Sequence, residues 1–168
     1  MAAKLTSKSL LGILSALVLL TVNATNLEPV VVGSQSAAFA QQQSQMFTAN
    51  LEGSNEVPPV NTSATGTAHL QVSPDGKNMM YDISATNLNG FMMAHIHQGK
   101  ARENGQPITS ALSIGKGKIT SSDLQGPLLG KQIPDLVNII KSGAYVNVHT
   151  DKNQNGEIRG QLMSIGSS

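Results

Sequence analysis

The sequence predicts an all-β fold, a sandwich or a barrel, and three observations predict it. Apolar and polar residues alternate over short runs from residue 47 onward. Gly, Pro, Asn and Asp bound those runs, as turn residues bound strands. Only one segment, 134–142, carries apolar residues at helical spacing.

Composition limits the function before any motif is read. The 168 residues suit one domain plus a leader. Hydrophobic residues are 39% of the chain, enough for a core and too many for a disordered protein. Lys plus Arg number 11 and Asp plus Glu 10, a balance that argues against a nucleic-acid binder, which needs a basic face. The chain has no cysteine, which excludes a disulfide scaffold, a thiolate nucleophile and every Cys-ligated metal site.

Lys4 and Lys8 precede an apolar run from Leu10 to Val22, the pattern of a secretory signal helix. Residues 1–40 are therefore expected to be a signal peptide, cleaved after Ala24 or Ala40, or else an uncleaved N-terminal anchor. Residues 41–46 form a polar tail, 47–163 the domain, and 164–168 a C-terminal tail. From residue 41 on, 9 basic and 9 acidic side chains cancel, so there is little field to steer the domain to anionic partners.

Within the domain, Phe47, Ala49 and Leu51 share one strand face. Glu56-Val57-Pro58-Pro59-Val60 must be an extended loop or edge, because proline cannot donate to a ladder. The strand 65–72 turns at Ser73-Pro74-Asp75-Gly76 into the strand 78–85, a hairpin. A strand at 91–97 puts Met92, Ala94 and Ile96 on the core side. A weaker strand is expected at 108–114, ended or bulged by Gly115-Lys116-Gly117, and then turns over 120–131. The helix 134–142 has Pro134 near its start and Gly143 past its end, the usual asymmetry. Strands 144–150 and 157–163 complete the set.

Four histidines carry the most chemistry. His95 and His97 are two apart on one strand and so leave the same face. His149 shares a face with Tyr145 and Asn147, while Val146 and Val148 point to the core. Three imidazoles from two strands suit one ion, copper ahead of zinc, with positions left open for water. One ion requires their nitrogens within roughly 4 Å of one another, since ligand bonds are about 2 Å long. The competing reading is that they are surface polar groups bonded to loop backbone. His69, mid-strand on a polar face, is not expected to be a ligand. Met93, beside His95, is a soft candidate, whereas Met79 and Met92 read as core.

Tyr145, Asn147, Glu157 and Arg159 are candidates for polar support of the imidazoles. For Glu157 and Arg159 a surface ion pair is the favoured reading. Asp151, Asn153 and Asn155 match the start of a calcium loop. Leu162 stands where the bidentate Glu is required, so a plain turn is the better account. No Ser-His-Asp order, nucleophile elbow or phosphate-binding glycine motif is present, so no residue is assigned a catalytic role.

Taken together, Ala94-His95-Ile96-His97-Gln98-Gly99, Asp123-Leu124, Gly143 to Thr150 and Gly156 to Leu162 resemble the CHRD domain, named for chordin. The opening Leu51-Glu52-Gly53-Ser54-Asn55-Glu56-Val57-Pro58-Pro59-Val60 fits the start of that family. The resemblance implies an immunoglobulin-like or Greek-key β-sandwich with a distant similarity to Cu/Zn superoxide dismutase. His95, His97 and His149 match dismutase copper ligands in kind and order. The zinc loop, the bridging histidine and the disulfide are missing, which argues against dismutase activity. The expectation is a secreted or extracytoplasmic binding or structural module, with a surface protein or glycan as partner. Nucleic acid is not expected as a partner, and a membrane only if the leader stays uncleaved.

Overall fold

A computed structural model describes residues 45–165. The expectations for the leader, its cleavage, residues 41–44 and the last three residues lie outside the described residues. Eight antiparallel strands and one helix follow one another: β1 (Met46–Glu52), β2 (Thr65–Val72), β3 (Met79–Thr86), β4 (Phe91–Gln98), β5 (Gly115–Ile119), α1 (Ile133–Gly143), β6 (Ala144–Thr150), β7 (Ile158–Gln161) and β8 (Met163–Ile165). They form one sheet in the order β4-β6-β7-β1-β2-β3-β5, with β8 added beside β1. The chain thus crosses from one end of the sheet to the other between β3 and β4. The sheet curls on itself, so that Ala68, Leu70 and Ile83 share one core with Ala94, Ile96, Val146 and Val148.

The hairpin β2–β3 pairs like with like. Ala68 opposes Ile83 and Val72 opposes Met79 on the core side, while Thr67 opposes Ser84 and His69 opposes Asp82 outside. In its turn Asp75 accepts from the Ser73 hydroxyl and from the Lys77 amide at 3.1 Å. α1 begins with Pro134 in its first turn, and the Asp135 carboxylate accepts the Gln132 amide at 3.0 Å. Ile133, Leu136, Val137 and Ile140 are buried, and the helix ends at Gly143, whose φ is +136°.

Three expectations are corrected. The strand expected over 108–114 is not there. Residues 107–112 make only isolated bridges, Pro107 to His97, Thr109 to Leu124 and Leu112 to Ala94. The strand lies later, at β5, where Gly117 faces Tyr81; a Cβ on Gly117 would stand 2.2 Å from the Tyr81 ring. The glycine read as a strand breaker is what lets β5 pack there. The run 157–163 splits at Leu162, which leaves β6 for β1 after its amide bonds Ala144 O at 2.9 Å. Finally, a register shift between Phe91 and Met93 turns Met92 outward, 47% exposed, so it is not core. Met79 is buried as expected.

β6 lies between β4 and β7, and Ala144 to Val148 are all buried. Its inner face meets the core. Its outer face, carrying Tyr145, Asn147 and His149, is covered by the loops 99–106 and 151–156, and this is where the polar residues gather.

Candidate metal centre

Strand register assembles the centre. His97 pairs with Tyr145, His95 with Asn147, and Met93 with His149. Side chains alternate along each strand, so all six leave the outer face together. The ring centroids of His95 and His149 are 5.2 Å apart, those of His95 and His97 5.7 Å, and those of His97 and His149 5.8 Å. One nitrogen from each imidazole lies within 4.8 Å of the other two.

Backbone carbonyls set the proton positions. His97 Nδ1 lies 2.8 Å from Gly105 O, and His149 Nδ1 lies 2.9 Å from Gln154 O. A carbonyl only accepts, so each Nδ1 carries the hydrogen and each Nε2 keeps its lone pair. Both Nε2 atoms are buried and have no partner, and so is His95 Nδ1. Three unpartnered nitrogens in one cluster are an unusual cost in a folded chain. Burial also keeps the imidazoles neutral. It pulls the His95 pKa down to about 4, helped by His149 and His97. His97 is lowered by burial and then by the charges of His149 and Arg159, against the Gly105 carbonyl, which raises it. His149 is lowered by burial against the Gln154 carbonyl. Neutral imidazole is the metal-binding form.

These residues therefore fit a single cation bound through His95 Nδ1, His97 Nε2 and His149 Nε2. Three nitrogens on one ion with bonds of about 2 Å sit roughly 3.3–3.5 Å apart, so separations of up to 4.8 Å require the rings to close by up to about 1.5 Å. His97 is buried, whereas His95 and His149 are partly exposed and form the open edge.

The support residues take roles that the sequence did not reveal. Tyr145 stacks on His97 at 5.1 Å and 18°, and the Arg159 guanidinium sits 3.4 Å from the centre of the Tyr145 ring. Arg159 is only 2% exposed and donates to Lys100 O at 3.0 Å, Glu103 O at 2.6 Å and Asn104 Oδ1 at 3.1 Å. It thereby ties down the loop whose Gly105 holds His97. Gly105 itself admits no side chain, since a Cβ would fall 1.4 Å from Gln98 O.

The surface ion pair expected between Glu157 and Arg159 does not form. Both side chains are buried, and each is consumed by other groups. Glu157 accepts from Thr150 at 2.6 Å, Thr62 at 2.7 Å and Asn153 at 3.2 Å. Burial works against its charge, but these bonds hold its pKa below the ordinary value. Asn147 donates to Asn155 O at 3.1 Å, which fastens the loop 151–156 beside His149.

Asn153 is thus turned toward Glu157, the backbone of Gln154 and Asn155 serves His149 and Asn147, and Leu162 is core. The group of potential ligands found among the described residues is the histidine trio, without Asp151. His69 lies apart on the exposed face of β2, with Nδ1 3.3 Å from Thr48 Oγ1.

Glu56 had no signal beyond an acidic residue before Val57-Pro58-Pro59. It is 6% exposed, and burial raises its pKa to about 7 against the lowering effect of Arg159. Its Oε1 and Asn147 Oδ1 both abut Gly156, where a Cβ would meet them at 2.5 and 2.4 Å. The nearby Gln161 amide donates to Gly99 O and Ala144 O at 3.0 and 2.9 Å.

The chain belongs to the CHRD domain family, whose model matches residues 47–162. Neither a curated protein nor a solved structure matches the chain. Among the described residues no helix is long and apolar enough to cross a membrane.

Proposed function

We propose that this is an exported, non-catalytic binding or structural module that carries one metal ion on His95, His97 and His149. The observation that carries the reading is the set of three buried, unpartnered nitrogens drawn from two neighbouring strands. A cation removes that cost, because each lone pair gains a ligand bond. Imidazole donors favour copper over zinc in the order of divalent affinities. Membership of the CHRD family supports a module rather than an enzyme. The basic, apolar start of the chain supports export, with a surface protein or glycan as partner.

A second reading, a copper redox protein with a superoxide-dismutase-like site, draws on the partly exposed edges of His95 and His149, where a small molecule reaches the centre. Bound copper would supply one-electron chemistry there. The near balance of acidic and basic residues gives an anion little electrostatic guidance, which ranks this reading second.

The test is calorimetric titration of the metal-free full chain with Cu(II) and with Zn(II). One ion per chain, bound tighter than micromolar and lost in His95→Ala and in His149→Ala, supports the centre. Weak binding at several sites, or binding indifferent to both substitutions, defeats it. Superoxide turnover by the copper form would then favour the second reading over the first.

A further inference from the structure

Beyond the three histidines, we propose that Met93 supplies a thioether ligand to the same ion and makes the centre selective for copper(I). This rests on the metal reading above and extends it by naming the fourth donor and the oxidation state it suits.

Met93 stands directly across from His149 and two residues before His95. The next residues, Ala94 and Ile96, are fully buried in the core, so Met93 shares the outer face with His95 and His97. The irregularity between Phe91 and Met93 separates two adjacent methionines. It turns Met92 out, 47% exposed, and leaves Met93 half-buried on the imidazole face.

Side chains directly opposed across an antiparallel pair have Cβ atoms about 4.5–5.5 Å apart. An unbranched chain with three rotatable bonds spans what is left.

Met93 also stands on the correct side. The loop 99–106 closes the His97 end of the cluster, while the two partly exposed imidazoles, His95 and His149, are the ones that border Met93. The open edge is therefore the edge that a thioether faces.

Among the described residues no carboxylate competes for that position. The Glu157 carboxylate accepts three hydrogen bonds elsewhere, and no carboxylate belongs to the ligand cluster among the described residues. Soft thioether sulfur favours Cu(I), whereas Zn(II) and Cu(II) are satisfied by imidazole and water.

The decisive experiment supplies Cu(I) anaerobically to the full chain against a chromogenic chelator and records copper X-ray absorption on the complex. The expected spectrum contains one sulfur scatterer beside the nitrogens. Met93→Leu conserves volume. It is expected to lose that scatterer and to weaken Cu(I) by about tenfold or more, with little change for Cu(II) or Zn(II). Met92→Leu should change neither measurement. A wild-type Cu(I) spectrum with nitrogen and oxygen scatterers alone overturns the proposal whatever the variant does. So does Cu(I) affinity unchanged in Met93→Leu. In both cases Cu(II) binding that depends on His149 leaves the three-histidine centre standing. Absence of one-to-one binding for all three ions removes the centre and Met93 together.

Discussion

Two polar clusters lie side by side on the outer face of β4, β6 and β7, and they solve burial in opposite ways. Around Arg159 the donors are directed at loop carbonyls and an amide oxygen. The guanidinium serves two carbonyls and Asn104, and the Gln161 amide serves two more carbonyls. What is left over there is oxygen, on Glu56, Asn147 and Gln161. In the imidazole cluster each of two rings spends its one N–H on a carbonyl, and the leftover atoms are nitrogen lone pairs close enough to share an ion. The first cluster holds loops in place. The second is arranged for a cation, and it depends on the first because Arg159 anchors the loop that pins His97.

That dependence yields the largest expected effect. Arg159→Ala would take the donor from Glu103 O and one of two donors from Lys100 O, which keeps the Glu103 amide, and would remove the cation over Tyr145. Hydrogen bonds from a charged group contribute about 1.5–3 kcal/mol each, and Arg159 is buried and makes three, so we expect a loss of roughly 3 kcal/mol or more in denaturant unfolding. Metal affinity should fall as well, although Arg159 is no ligand. Stability unchanged to within about 0.5 kcal/mol would mean that the loop does not need the guanidinium.

Next in size is the effect of the ion itself. A ligand at a hundred times its Kd stabilises the folded state by about 2.7 kcal/mol. Copper in that excess should raise the thermal midpoint of the native chain, and chelation should reverse the rise. His149→Ala should abolish the difference between loaded and stripped protein. A rise that persists in the variant would place the ion elsewhere.

Much of this arrangement was legible in the chain, and the rest was hidden for identifiable reasons. The alternation around Ala94 and Ile96 put His95 and His97 on one outer strand face, and that around Val146 and Val148 put His149 on the outer face of another, because strand periodicity is local. The pairing of Met93 with His149 is a register between strands about fifty residues apart, and no local pattern encodes it. Gly117 read as a breaker because its reason, the Tyr81 ring, sits on another strand. Arg159 and Glu157 read as a surface pair because two charges on one strand face look solvated until the loops that cover them are known. Glu56 carried no signal, since its burial comes from β7 and from the turn at Gly156.

Glu56 gives the prediction that separates the clusters by pH. Its folded pKa is raised from 4.5 to about 7, so the folded chain holds this proton more tightly than the unfolded chain. Its contribution to stability is complete below pH 4.5 and is lost as pH rises toward about 7. Glu56→Gln keeps the shape and cannot ionise. Its unfolding midpoint relative to wild type should therefore climb across that window and level off above it. The histidines titrate in both proteins and cancel in the difference. A difference that is flat with pH would show that Glu56 ionises freely in the fold.

The smallest effect is expected at His69, and it guards the whole comparison. His69 is a histidine on a polar strand face, as His95 and His149 are, but its strand leaves that face exposed, opposite Asp82 and beside Thr48. Its environment is water on one side and hydroxyl or carboxylate on the other, with no second imidazole in reach. His69→Ala should shift stability by no more than about 0.5 kcal/mol. Copper affinity and stoichiometry should stay as in the wild type. If removing His69 weakened binding as much as removing His95, the ion would be following exposed imidazole in general. The register of β4 against β6 would then have no bearing on where the metal sits.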